Sequence, residues 1–128
     1  MVKTMTINEV MMIAPDFLTL WNEESTNIRV GGKALFNVVK LKKAFEEQFR
    51  SIQETVQTIM EQHGGEPNEN GQGIAIKDPE SAAKANEALS ELGEQKVDIV
   101  YGIIQITEKD NLPPKLMDLL FDFIEFKE

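Results

Sequence analysis

Between Lys33 and Gln62 the residues Leu35, Val38, Phe45, Phe49, Ile52, Val56 and Ile59 recur at intervals of three, seven, four, three, four and three. This is the a/d register of a coiled-coil-like stripe, and Lys40, Lys42, Lys43, Glu46, Glu47, Arg50, Glu54 and Gln57 fill the other faces. The spacing predicts one helix from about Lys33 to about Gln62, roughly 45 Å long at ~1.5 Å per residue. A helix that long with a narrow apolar seam needs a partner along it, because propensity alone holds isolated helices poorly.

The nearest candidate partner starts at Asp78-Pro79-Glu80-Ser81. There an aspartate can accept orphan amide hydrogen bonds, proline suits the first helical position, and acid sits at the positive end of the dipole. Ala82, Ala85, Leu89 and Leu92 follow as a slim stripe, and Gly93 is a stop signal. The two segments read as an antiparallel helical hairpin over about 33–93, joined by a loop or small β-hairpin at 63–77.

The flanks supply a small sheet and short helices. Val2 to Ile7 alternates apolar and polar residues, and KVDIVYGIIQI, Lys96 to Ile106, is rich in β-branched residues. Both read as strands, with the first the expected partner of the second and residues 27–30 a possible third strand closed by Gly31-Gly32. Thr6 or Asn8 offers a cap for a following helix, which Pro15 is expected to divide into two pieces. At the other end LPPKLMDLLFDF places prolines at a helix start, and Phe123 to Phe126 reads as a short closing strand. The expectation is an α+β fold in one domain, 1–128: a long antiparallel helical hairpin packed with a small antiparallel sheet and short N- and C-terminal helices.

Chemistry is hard to place on this chain. The loop HGGEPNENGQG, His63 to Gly73, holds the only histidine, and its Glu66 to Gly71 portion imitates the opening of an EF-hand calcium loop. Counted from Glu66, position eight is Gly73 instead of an aliphatic residue, and position twelve is Lys77 where a bidentate glutamate should close the shell. His63 with Glu66 or Glu69 falls short of a zinc set, and the loop lacks the Gly-Lys-Ser/Thr of a phosphate cradle. A solvated bend with Asn70-Gly71 as a two-residue hairpin turn accounts for the segment. No catalytic residue, cofactor or metal is expected, and the chain is not expected to be an enzyme.

Composition narrows the partners. Twenty-two acidic against thirteen basic residues, net −9 with no cysteine, oppose direct binding to a nucleic-acid backbone and exclude disulfide and thiolate chemistry. No apolar run reaches membrane-spanning length, and MVKTMTINEVMMIAPDF lacks the apolar core of a signal peptide, so a soluble protein without membrane association is expected. Trp21 and the aromatic ending are the candidate contact residues. Trp21 reads first as a core anchor, yet Leu119, Leu120, Phe121, Phe123, Ile124 and Phe126 point in too many directions for one face of a small domain. Trp21, Leu120, Phe121, Phe123 and Phe126 are therefore the expected interaction set, facing a protein partner or another copy of the chain.

The order of parts, FNVVKLKKAFEEQFRSIQETVQTIMEQHG, then ENGQGIAIKDPESAAKANEALSELG, EQKVDIVYGIIQI and LPPKLMDLLFDFIEF, resembles a group of small, functionally uncharacterised proteins of tailed bacteriophages and prophages. The likeness runs from Lys33 onward and rests on pattern, with no invariant catalytic motif. It implies an accessory or virion-associated protein made in the bacterial host cytoplasm, and it carries over no functional residues. Two functions follow as expectations: a non-enzymatic phage protein–protein interaction module, virion-associated or assembly-related, or an acidic anti-host inhibitor that binds a basic surface of a bacterial defence or transcription protein.

Overall fold

Thr6 decides where the first strand stops and the first helix begins. Its hydroxyl accepts from the Glu9 amide at 3.1 Å while the Glu9 carboxylate accepts from the Thr6 amide at 3.1 Å, a reciprocal cap that satisfies two orphan donors. The computed structural model describes residues 1–67 and 73–127. Strand β1 (Val2–Thr6) runs into α1 (Ile7–Glu24), followed by a 3-10 turn at Ser25–Asn27 and the long helix α2 (Gly32–Gln62). Then come β2 (Glu66–Pro67), β3 (Ile74–Ala75), α3 (Pro79–Glu94), β4 (Lys96–Val100), β5 (Ile104–Ile106), α4 (Pro114–Leu119), a 3-10 turn at Phe121–Phe123, and β6 (Ile124–Phe126). The fold is α+β, built around the long helix.

The long helix and its capped neighbour lie where the spacing puts them. Asp78 caps α3, its carboxylate accepting from the Ser81 amide at 3.1 Å, with Pro79 at the first position. The stripe of α2, however, is Ala34, Val38, Leu41, Phe45 and Ile52, with Leu35 left 39 % exposed. Its main cover is α1, which packs along it more extensively than α3 does. Phe17 of α1 meets Phe45 edge to face at 6.0 Å, and Lys42 lies over the Trp21 ring at 5.6 Å. The alanine-bearing arm touches α1 and α2 alike, and its buried Ala85, 1 % exposed, lies outside the core cluster that the seam belongs to.

Helix α1 is continuous through Pro15, where two pieces were expected. Proline deletes one intrahelical hydrogen bond, normally at a cost of about 3 kcal/mol. Ala14 and Phe17, both fully buried, fix the helix to the core on either side of it, and this packing outweighs the local penalty.

The sheet is divided. Strands β1 and β4 pair antiparallel, Val2 opposite Val100 through Thr6 opposite Lys96. The expected single strand over Lys96 to Ile106 breaks at 101–103, because Gly102 presses against the Asn37 carboxamide of α2, which donates to the Ile103 carbonyl at 2.9 Å. Strand β5 then pairs in parallel with β6, an arrangement the antiparallel expectation lacked. Residues 27–30 join no sheet; Arg29 makes an isolated bridge with Asn111 instead. Strands β2 and β3 form the small antiparallel hairpin expected after α2. The Asn70-Gly71 turn assigned to its tip, and the asparagines of the calcium-like pattern, lie outside the described residues.

Two helix caps make stability depend on acid. The Thr6 amide, and after it the Thr6 hydroxyl, hold the Glu9 carboxyl below its ordinary value; the Ser81 hydroxyl, then its amide, do the same for Asp78. A carboxyl whose folded pKa is depressed stabilises the fold fully above its unfolded pKa, and that contribution disappears as pH falls through the folded pKa. The variant Glu9→Gln/Asp78→Asn should therefore lose less stability than the parent between about pH 5 and about pH 3. Denaturant melts at the two pH values check this, and an equal loss in both proteins would overturn it.

Candidate functional site

The C-terminal turn sorts its aromatics into two populations. Leu116 and Leu120 of the α4 region are fully buried, and the 3-10 turn that follows directs Phe123 inward. Phe123 stacks edge to face on Tyr101 at 4.9 Å and on Phe45 at 5.9 Å, completing an aromatic chain from Phe17 through the centre of the core. Leu120, at 0 %, and Phe123, at 2 % exposure, are thereby removed from the expected interaction set, because helical and 3-10 periodicity turns both into the core. Trp21 is half-buried under Lys42, whose ammonium also pairs with Glu46 at 3.2 Å.

Phe121 and Phe126 remain outside. They are 62 % and 57 % exposed, and their ring centroids stand 6.5 Å apart at 48°. An exposed aromatic pair held on a 3-10 turn and a strand presents rigid apolar area with little rotamer entropy to lose on contact. Lys3 of β1 pairs with Asp122 at 3.5 Å, tying the β1 edge to the turn that carries Phe121.

Large apolar residues outside the expected set are exposed as well. The nitrogen of Met1 donates to the Tyr101 carbonyl and the Tyr101 amide donates to the Met1 carbonyl, both at 2.9 Å. That exchange makes Val2–Val100 and Thr4–Asp98 the close, non-hydrogen-bonded pairs of the ladder, with their side chains on the outer face. Thr4 donates to Asp98 there at 2.8 Å, whereas Val2 and Val100 are left 58 % and 55 % exposed. Their period-two position was visible in the sequence; their lack of cover was not. Phe36, 66 % exposed, and Met12, 74 %, lie off the buried stripes of α2 and α1.

The glycine-rich bend offers less. His63 closes α2, and with Glu66, Lys77, Asp78 and Ser81 it lines a cleft of about 240 Å³. Among the described residues no three His, Cys, Asp or Glu side chains converge to hold a metal ion, and no helix is long and apolar enough to cross a membrane.

A larger groove, about 850 Å³, lies between α1, the C-terminal half of α2, β3 and α3. Met11, Val56, Met60, Ile74 and Leu89 make it largely apolar. No protein-family model, curated protein or solved structure matches the chain.

Proposed function

We propose that the protein is a non-enzymatic protein–protein interaction module, a phage accessory or virion-associated component that docks onto itself or another phage protein through its C-terminal apolar surface. The observation that supports this reading is the Phe121–Phe126 pair, two large rings more than half exposed and adjacent to one another. Isolated exposed apolar residues are ordinary, but an aromatic cluster costs solubility and acts as an anchor in a contact. The protein works in the bacterial host cytoplasm or in the particle assembled there.

Light scattering on the purified protein over a range of concentrations, beside Phe121→Ser/Phe126→Ser, tests this. Both positions are exposed, so the variant keeps its fold, and loss of self-association is the expected result. A monomeric parent whose capture of proteins from infected cells is unaffected by the double substitution would overturn the reading.

The distribution of charge favours a second reading, the acidic anti-host inhibitor. Residues 51–94 hold nine acidic side chains and two lysines, so −7 of the chain's −9 falls in one third of its length. Binding that collapses as salt is raised would support this reading over the apolar contact.

A further inference from the structure

The apolar groove and the acid excess coincide, although each arises from different residues. Val56 and Met60 of α2, Ile74 of β3 and Leu89 of α3 form three of its walls, and all lie in the segment that carries −7. Glu61 lines the groove directly. Lys84, one of the segment's two bases, is 3.9 Å from the Glu80 carboxylate.

On α2 the groove runs along Gln53, Val56, Gln57 and Met60. That spacing, i, i+3, i+4 and i+7, is two helical turns, about 10 Å of wall at 1.5 Å per residue. A helix laid against it would present apolar side chains at the same repeat, and the unbranched side chains of Met11 and Met60 adapt to what they meet. An apolar floor with Glu61 on its wall, set in a segment of net −7, favours a ligand that is apolar on one face and basic on the other.

We infer that the groove between α1, the C-terminal half of α2 and α3 is a docking site for a basic amphipathic helix of a partner protein. This assignment rests on the reading that the chain acts by docking, but it uses a surface distinct from the Phe121–Phe126 pair. The basic face of the ligand lies against the acidic lobe, and its apolar face fills the floor between Met11, Met60 and Leu89.

The probe is a labelled synthetic peptide of about 14 residues, with leucine at i, i+3, i+4 and i+7 and lysine on the opposite face, titrated by fluorescence anisotropy. Two control peptides are a scrambled order of the same composition and a version with glutamate in place of every lysine. Binding on the order of micromolar is expected, with each control weaker by at least about tenfold. Gln53→Lys/Gln57→Lys, at exposed positions on the rim, should weaken it by roughly tenfold without disturbing the fold. Phe121→Ser/Phe126→Ser should leave it unchanged.

Absence of binding overturns the assignment. So does equal binding of the scrambled peptide, which would mean charge alone, or of the glutamate peptide, which would mean an unselective apolar pocket. Loss of binding in the Phe121→Ser/Phe126→Ser variant would place the peptide on the aromatic surface; the groove assignment would then fall and the docking reading would stand. If self-association proved independent of Phe121 and Phe126 while the peptide bound as expected, the reverse would hold.

Discussion

Replacing Phe45 with alanine is expected to remove about 3–5 kcal/mol of stability, the largest loss of any single substitution considered for this fold. The ring is fully buried at the midpoint of α2 and is the middle member of the aromatic chain, edge to face with Phe17 of α1 on one side and with Phe123 on the other. Truncation therefore deletes the burial of its own ring and both aromatic contacts at once, and leaves a cavity bounded by α1, α2 and the C-terminal turn. Collapse into that space is restricted, because α1 is also held at Ala14 and the turn is also held by the Phe123–Tyr101 contact. A denaturant melt should show a lower midpoint with little change in slope, and thermal unfolding should drop by roughly 10–20 °C. Phe49→Ala, four residues on and only half-buried, is the comparison. A loss at Phe45 no greater than at Phe49 would mean that the aromatic chain is not the axis of the core.

The same residue shows what the sequence could and could not reveal. Phe45, Val38 and Ile52 were readable as one helical stripe, and Asp78-Pro79 as a helix start, because both signals are local and depend on spacing alone. Which helix covers that stripe depends on contacts between distant segments. The alanines after Ser81 suggested the covering arm, yet α1 took the place, since Phe17 supplies a larger apolar surface than any residue of α3. Pro15 illustrates the converse: a strong local signal was overruled by the burial of its neighbours Ala14 and Phe17.

The exposed aromatic surface was half legible. A run of apolar residues from Leu116 to Phe126 has more hydrophobic side chains than one face can bury, so some had to remain outside. Identifying those required the phase of a short α-helix passing into a 3-10 turn and then a strand, where the angle per residue changes twice within ten positions. Phe121 and Phe126 emerged on the outside, Leu120 and Phe123 on the inside. The apolar groove was not legible at all, because Met11, Met60, Ile74 and Leu89 come from four elements. The acid excess of the segment that supplies most of its walls was: counting charges along 51–94 finds it without coordinates.

Asn37 and Gly102 should behave as a single unit, so that each substitution is costly alone and the second adds little once the first is made. Asn37 is the only buried polar residue among those described, 8 % exposed in a stripe of apolar neighbours, and its amide donates to the Ile103 carbonyl at 2.9 Å. A β-carbon on Gly102 would collide with that same carboxamide, at its oxygen, carbon and nitrogen alike. Asn37→Ala leaves the Ile103 carbonyl without its donor at a cost of about 1–3 kcal/mol. Gly102→Ala drives the carboxamide away and breaks the same bond, with overpacking of about 1–3 kcal/mol as its cost. In the double variant there is no carboxamide to displace, so the cost should be close to that of Asn37→Ala alone, a coupling equal to the lone cost of Gly102→Ala, about 1–3 kcal/mol. The break between β4 and β5 would then be a consequence of this contact: the Asn37 side chain of α2 packs onto the backbone at the one residue small enough to admit it, and the strand that continues beyond pairs with β6. Chemical denaturation of the four proteins of the cycle measures the coupling, and costs that simply add would show that Gly102 is glycine for some reason other than Asn37.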